Sequence, residues 1–134
     1  MRYSEPTGDP LEDIPAMLAW RGGGVTFVEL LRFVPYLQGD LQLFQDDNPT
    51  IVLWEGVSQG CIDALAALKG DELIELKPVN PLIYVLDSFV PRRDIATARR
   101  RYKELRWRPV TFVLTDKGYA HAVQARPTRA MPAG

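Results

Sequence analysis

Apolar residues at helical spacing predict helices at several places along the chain. The first stripe is formed by Leu11, Ile14 and Leu18. It follows Asp9-Pro10, and an aspartate followed by a proline is a typical helix start. We expect this helix to end at Gly22-Gly23-Gly24 and to be disturbed at Pro15, because an interior proline lacks the N–H group that a helix uses.

The sharpest local signal lies just after these glycines. Thr26 and Glu29 form a T-x-x-E capping box, and Val25 and Leu30 are spaced to form a hydrophobic staple. Together these residues predict a helix over residues 27–34.

Three more helices are predicted further along the chain. Ser58 can cap a helix that continues to Leu68, with an apolar stripe formed by Ile62, Leu65 and Leu68. Residues 92–107 predict a strongly basic helix whose apolar positions are Ile95, Ala98, Tyr102 and Leu105. Asp116 can cap a last short helix, which we expect to reach about Gln124.

Short runs of β-branched, aliphatic and aromatic residues predict strands at residues 50–54, 73–77, 82–86 and 110–114. Pro78-Val79-Asn80-Pro81 separates the second run from the third, so these two runs are expected to form a β-hairpin or a strand pair connected by a loop. Residues 38–49 are expected to form a packed loop or a short helical turn, with a turn from Asp46 to Pro49.

The order of these elements predicts one α+β domain in which helices pack on a small antiparallel sheet, with the basic helix as an addition. A length of 134 residues is typical of a single domain, and 46% apolar residues suffice for a core. We assign the globular domain to residues 9–125, a flexible leader to residues 1–8 and a flexible tail to residues 126–134.

Other features bound the class of protein. No apolar run approaches the roughly 20 residues that span a bilayer, and the N-terminal residues lack the basic and apolar regions of a secretory signal. The one cysteine, Cys61, cannot form an internal disulfide. We therefore expect a cytoplasmic protein with no membrane partner.

Two short motifs connect the chain to a known superfamily. Residues 65–76, LAALKGDELIEL, are similar to the passage from recognition helix into wing in winged helix-turn-helix proteins. Residues 113–118, VLTDKG, resemble the segment that closes the wing in antibiotic-resistance-type repressors. The resemblance covers residues 26–86 and 113–118, and it implies a winged-helix-like fold, DNA binding and transcription regulation.

In this resemblance, residues 27–34 are the supporting helix, residues 59–68 the recognition helix and residues 73–86 the wing. The sequence departs from the superfamily in two respects. Residues 35–57 separate the two helices, which is much longer than a tight turn. Within the recognition helix and the lysine that follows it, Gln59 and Lys69 are the side chains suited to reading base edges.

The formal net charge of −1 conceals a strong asymmetry. Residues 1–90 contain five Lys and Arg against fourteen Asp and Glu, whereas residues 91–134 contain eleven against three. Within residues 91–108, eight basic residues stand against Asp94 and Glu104, which gives a local charge of +6. A surface with this charge can bind phosphate groups without reading base sequence.

We therefore predict a nucleic-acid-binding surface formed by Arg92, Arg93, Arg99, Arg100, Arg101, Lys103, Arg106, Trp107 and Arg108. Tyr102 and Trp107 lie among the basic residues, and aromatic rings in such a place suit stacking on unpaired bases. Two other interpretations stay open. The basic segment either pairs with the acidic first ninety residues of the same chain or binds an acidic protein partner.

The sequence contains no recognisable catalytic or metal-binding constellation, so we expect neither enzyme activity nor a cofactor. His121 is the one histidine, and with Cys61 it falls short of a zinc site. Gly22-Gly23-Gly24 lacks the frame of a phosphate-binding loop. The alternative to nucleic-acid binding is a protein–protein interaction or assembly module, including a homodimer, with complementary acidic and basic surfaces.

Overall fold

The structure is a computed structural model, in which residues 5–98 and 100–122 are described. Its elements are α1 (Pro10–Arg21), α2 (Phe27–Phe33), a 3-10 turn (Pro35–Leu37), β1 (Gln38–Gln45), β2 (Asn48–Val57), α3 (Gln59–Gly70), β3 (Ile74–Pro78), α4 (Leu82–Leu86), β4 (Arg106–Trp107) and β5 (Val110–Leu114). Residues 116–122 are also helical. The prediction of an α+β fold is therefore confirmed.

The first three long helices begin where the sequence predicts, because nearby side chains satisfy their free amide groups. The Asp9 side chain accepts a hydrogen bond from Leu11 N, and the Ser58 side chain accepts one from Cys61 N. Thr26 and Glu29 form the capping box in both directions. Pro15 lies inside a continuous α1, so the expected disturbance of this helix is not observed.

The strands form two separate sheets. β1 and β2 are an antiparallel hairpin, and β4 pairs in parallel with β2. β3 pairs with β5 in antiparallel fashion, and a single bridge from Val25 to Phe112 extends this second sheet. The predicted strands at residues 50–54, 73–77 and 110–114 are thus confirmed, whereas residues 38–45 form a strand and not the expected loop.

Residues 82–86 form α4, so the prediction of a strand there is wrong. Pro81 has helical backbone angles (φ −59°, ψ −20°), and its carbonyl accepts a hydrogen bond from Tyr84 N. The Asn80 side chain accepts another from Leu82 N. This turn directs Tyr84 into the core, and β3 pairs with β5 instead of with a neighbouring hairpin strand.

The additional basic helix predicted over residues 92–107 is also wrong, because the described residues 92–98 and 100–105 contain no helix. Ala96 N donates to the Trp107 carbonyl and Trp107 N donates to the Asp94 carbonyl, which fixes an extended arrangement. The Trp107 ring is buried in the core and its indole N–H donates to the Leu53 carbonyl. These contacts outweigh the apolar stripe that predicted a helix.

A cluster of six aromatic rings forms the centre of the core. Its members are Phe27, Trp54, Tyr84, Phe89, Trp107 and Phe112. The buried Tyr84 hydroxyl group donates to the Val110 carbonyl at 2.6 Å and accepts from Phe27 N at 3.1 Å. These bonds join α4 to both α2 and β5.

Asp13 is a fully buried carboxylate on α1. It accepts hydrogen bonds from Thr7 N at 2.8 Å, from Gly8 N at 2.9 Å and from the Tyr36 hydroxyl group. Residues 7 and 8, at the end of the predicted leader, are therefore attached to α1. Residues 1–4 of that leader and the predicted tail at 126–134 lie outside the described residues.

In the part of the chain that the structure describes, no helix combines the length and the apolar character needed to cross a bilayer.

Asp13→Asn should lower the free energy of unfolding by about 1–3 kcal/mol at pH 7, because an amide cannot accept hydrogen bonds at both positions. Burial raises the pKa of Asp13, but the hydrogen bonds from Thr7, Tyr36 and Gly8 outweigh it and hold this pKa below its usual value. The contribution of Asp13 is therefore complete above about pH 4 and is lost as the pH falls toward the lowered pKa.

Urea unfolding between pH 7 and pH 3 measures both effects. The variant should be less stable at pH 7 and should lose less stability on acidification than the natural protein. Asp40→Asn, which changes an exposed carboxylate, is the control. Equal stability of Asp13→Asn and the natural protein at pH 7 would contradict this account.

Candidate nucleic-acid interface

The predicted interface residues lie in one segment, residues 91–108, which we call the basic loop. Its C-terminal end is fixed by the short β4. Arg108 N donates to the Val52 carbonyl at 3.0 Å, and the Trp107 indole N–H donates to the Leu53 carbonyl at 3.1 Å. Near the start of the loop, the Asp94 carbonyl accepts a hydrogen bond from Trp107 N at 2.9 Å. The basic loop is therefore held to the folded core near both ends and is not an appended arm.

Tyr102 organises the middle of the basic loop. Its hydroxyl group accepts hydrogen bonds from Thr97 N and Ala98 N, both at 3.0 Å. Its ring is 6% exposed and packs in a small second core with Ile51 and Ala96. Desolvation raises the pKa of Tyr102, but these backbone hydrogen bonds and the nearby Arg100 charge outweigh it, so its pKa lies below the usual value.

Two polar residues of β2, Asn48 and Thr50, form hydrogen bonds with the backbone in the middle of the basic loop. The Thr50 hydroxyl group accepts from Tyr102 N at 3.0 Å and donates to the Asn48 side-chain oxygen. The Asn48 amide group donates to the Arg100 carbonyl at 2.9 Å. The sequence analysis missed both residues, although an Asn two positions before a Thr is a recognisable turn signal. The observed bond from Thr50 N to Asn48 Oδ1 is such a turn.

Arg100 and Arg106 lie against the Tyr102 ring. Their guanidinium carbons are 4.4 Å and 4.9 Å from the ring centroid, which is the range of cation–π contacts. Such stacking uses the flat face of a guanidinium group, so the N–H groups at its edge remain chemically able to bind an anion. These two arginines are therefore held in place without being neutralised.

Arg93 and Arg108 have partners within the protein. Arg93 forms a two-point ion pair with Glu55, with N–O distances of 2.8 Å and 3.0 Å. The hydrogen bonds between them lower the pKa of Glu55 and raise the pKa of Arg93. Arg108 Nη2 donates to the Ala98 carbonyl, and its Nε atom is enclosed without a partner among the described residues. We assign both side chains to holding the loop.

Five cations of the basic loop form no side-chain hydrogen bond or ion pair with residues 5–98 and 100–122: Arg92, Arg100, Arg101, Lys103 and Arg106. Four of them are exposed, and Arg106 is half-buried. Arg99, the remaining predicted site residue, lies outside the described residues. Pairing of the loop with the acidic first ninety residues is therefore seen as an ion pair at Arg93 and as an electrostatic effect of Arg92 on Glu55, but not at the other four positions.

The expectation that Trp107 stacks on a bound base is wrong, because its side chain is 4% exposed and lies in the aromatic cluster. Tyr102 is similarly enclosed between its own loop and β2. The sequence pattern could not separate these two rings from surface anchors, because both lie between charged residues. The described part of the loop therefore offers cations to a ligand but no open aromatic face.

The helix α3 contributes little to such a surface. Gln59 donates to Asp63 at 2.8 Å, and Lys69 forms an ion pair with Asp46 at 2.5 Å. These were the two side chains suited to reading base edges. The rest of the exposed face of α3 consists of small residues.

Other candidate chemistry is not assembled. Burial raises the pKa of the Cys61 thiol to about 12, so it stays protonated at neutral pH, and His121 is exposed. No group of three or more His, Cys, Asp or Glu suited to a metal ion occurs among the described residues.

Tyr102→Phe should loosen the basic loop while leaving the fold intact, because two backbone N–H groups lose their acceptor. A hydrogen bond of about 1–1.5 kcal/mol corresponds to a roughly tenfold faster exchange of each amide. Hydrogen–deuterium exchange at Thr97 and Ala98 measures this, with Tyr119→Phe as the control. Unchanged exchange in Tyr102→Phe would show that the hydroxyl group does not organise the loop.

Comparison with known proteins assigns the chain to no family. No family model matches it, and neither a curated protein nor a solved structure matches it significantly. Function must therefore be inferred from the side chains of the chain itself.

Proposed function

We propose that this protein binds nucleic acid through contacts between the basic loop and phosphate groups. The observation that carries the proposal is the set of five cations whose side chains form no described hydrogen bond or ion pair, held on a loop that is fixed at both ends and in its middle. Arginine and lysine contacts to phosphate release counterions, which drives binding without reading sequence.

The binding should be tolerant of sequence. Base edges are read by side chains in a groove, and single-stranded bases are held by stacking on open aromatic rings. Gln59 and Lys69 are engaged by carboxylates, and Trp107 and Tyr102 are enclosed. Two features thus support binding to the phosphate backbone of a nucleic acid. Cations are available, and among the described residues that we considered for base contacts none is free to make them.

A winged-helix-like scaffold is part of this proposal. In it, α2 is the supporting helix and α3 the recognition helix. The expectation of a wing over residues 73–86 is wrong, because residues 82–86 are helical, and the two wing strands of this proposal are β3 and β5. The pairing of β3 with β5, and the position of residues 113–118 at the end of β5, support this assignment. The β1–β2 hairpin then stands where a tight turn would join α2 to α3, and residues 79–109 stand between the wing strands.

We infer a binding role and not a catalytic one. The support comes from the residues that could carry catalysis: Cys61 is buried and protonated, while His121 is exposed in the last helix. A regulatory role that uses nucleic-acid binding fits the same surface.

Arg101→Ala together with Lys103→Ala should weaken binding to duplex DNA and flatten its salt dependence. Neither side chain has a hydrogen bond or ion pair in the described part of the chain, so the fold should be unaffected. Five phosphate contacts predict a slope of log K against log salt of about −4.5, and removal of two contacts predicts about −2.7. Fluorescence anisotropy with a labelled duplex at several salt concentrations measures both slopes.

The matched control uses single substitutions. Arg32→Ala removes one charge from an exposed position outside the basic loop and outside the wing strands, and it should keep the natural slope, whereas Arg101→Ala alone should flatten it. If these two single variants lose affinity equally, the effect is one of overall charge and the basic loop is not the contact surface.

Tryptophan fluorescence should change little when single-stranded oligonucleotides bind. Trp54 and Trp107 are buried, and Trp20 is half-buried on α1, where it packs edge-on against Phe33 at 4.9 Å. Stacking of a base on Trp54 or Trp107 would require the core to open. Titration with oligo(dT) measures the emission, and strong quenching at saturation would argue for base stacking instead of phosphate binding.

A further inference from the structure

A cleft of about 640 Å³ lies where the turn after α4 meets the start of the basic loop. Its volume falls within the range of small-molecule sites, roughly 300–1,000 Å³. We call it the junction cleft, and its lining residues are Glu55, Ser88, Phe89, Val90, Arg92 and Arg93. An apolar wall together with a few cationic and hydroxyl groups suits a ligand that joins an anion to an apolar body.

Phe89 and Val90 form the apolar wall of the junction cleft. The half-buried Phe89 ring packs on Trp54 at 4.7 Å and on Trp107 at 5.3 Å between ring centroids. Phe89 N also donates to the Tyr84 carbonyl at 3.0 Å. The ring is therefore in place before a ligand binds, which lowers the ordering cost of binding.

The charged groups of the junction cleft leave one guanidinium group available to a ligand. Glu55 binds Arg93 through both carboxylate oxygens, and the Gln42 amide group donates to Glu55 Oε1 at 2.6 Å. Arg92 is exposed and influences Glu55 only through space, without a hydrogen bond or ion pair among the described residues. Because two arginines stand against one glutamate, the lining is cationic, and Arg92 is the group that can bind an anion.

Ser88 has a backbone conformation that serine seldom adopts. Its φ of 70° is left-handed, and it directly follows Asp87, which ends α4, at a position where glycine is usual. A residue with a side chain is strained in this conformation, and such strain collects at binding sites. The Ser88 hydroxyl group has no hydrogen bond to the described residues, so it can donate one to an anion in the cleft.

Contacts with β2 place the junction cleft apart from the other four available cations. Arg93 is bound to Glu55 near the end of β2, whereas the Arg100 carbonyl is bound to Asn48 at its first residue. Asn48 and Glu55 are seven positions apart, which is roughly 20 Å in a strand. Phosphates of one strand follow each other at about 3.4 Å along a duplex axis, so this distance corresponds to roughly six nucleotides.

We propose that the junction cleft binds the phosphorylated end of a nucleic-acid strand whose backbone lies on the other cations of the basic loop, an assignment that rests on the proposed function. Arg92 and the Ser88 hydroxyl group bind the terminal phosphate, and the sugar and base of that nucleotide lie against Phe89 and Val90. A terminal phosphate carries a charge of about −1.5 to −2 at pH 7, more than an internal one, so it gains more from Arg92. An unpaired nucleotide can also enter a cleft at little cost in base stacking.

Competition binding of the full chain tests this assignment. Unlabelled oligo(dT) strands of about 12 nucleotides, long enough to span both surfaces, displace a labelled strand in fluorescence anisotropy. They carry a phosphate at the 5′ end, at the 3′ end or at neither. At least one phosphorylated strand should bind roughly tenfold more tightly than the unphosphorylated strand, as charge-assisted hydrogen bonds predict. Arg92→Ala should abolish this preference, and Ser88→Gly should reduce it roughly threefold.

Arg101→Ala is the matched control, because it removes one charge from the basic loop outside the junction cleft. It should weaken the binding of every strand and leave the preference for a terminal phosphate unchanged. Thermal unfolding verifies that the variants are folded, and Ser88→Gly should be at least as stable as the natural protein, since glycine relieves the strain. Free dTMP should compete roughly a hundredfold less well than the phosphorylated strand, because it cannot contact both surfaces.

Equal binding of phosphorylated and unphosphorylated strands, both weakened by Arg101→Ala, overturns the strand-end site and leaves the proposed function standing. Absence of binding by every strand overturns both. A preference that Arg101→Ala and Arg92→Ala reduce equally reflects overall charge and also overturns the site. Competition by dTMP or phosphoserine that equals that of the phosphorylated strand overturns it in favour of a free nucleotide or a phosphorylated protein.

Discussion

The pair of hydrogen bonds made by the Tyr84 hydroxyl group is the interaction on which the packing of α4 against α2 and β5 depends. This hydroxyl group is fully buried, and it links Phe27 N at the start of α2 to the Val110 carbonyl at the start of β5. Burial raises the pKa of Tyr84, so the group stays protonated and remains a donor. Its ring meets Trp107 edge-on at 5.0 Å. One side chain thus positions α4 on one side and the end of the basic loop on the other.

The basic loop and α4 are held to the core by different interactions. In the basic loop, the side chains of Tyr102, Thr50 and Asn48 form hydrogen bonds with backbone groups and leave the cations at the surface, which suits an anionic ligand. The helix α4 depends instead on the buried Tyr84 ring. The two segments are neighbours along the chain, and Tyr84 and Trp107, which anchor them, belong to the same core.

Local signals in the sequence determine much of the fold. Asp9, Thr26 and Ser58 predict helix starts because the side chain that caps a helix lies within three residues of the amide it satisfies. The failures at residues 82–86 and 92–107 have a non-local cause. The conformation of each segment is determined by its contacts with β2, β5 or α2. The apolar spacing that predicted a strand and a helix there carries no information about those contacts.

The candidate site also has features that the sequence predicts and features that depend on contacts between distant residues. Cation positions such as Arg101 and Lys103 can be read from the sequence, whereas pairing of Arg93 with Glu55 joins residues 38 positions apart. The burial of Trp107 likewise depends on the Leu53 carbonyl, which no short motif indicates.

The segment from residue 79 to residue 109 interrupts what would otherwise be two neighbouring strands, yet it is no detachable insertion. Tyr84, Phe89 and Trp107 belong to the central aromatic cluster, so excision of the segment would empty the middle of the molecule. Any shortening of it during evolution or engineering must replace three large rings at the same time. The basic loop is part of this segment, so it cannot be removed without a loss of stability of the whole domain.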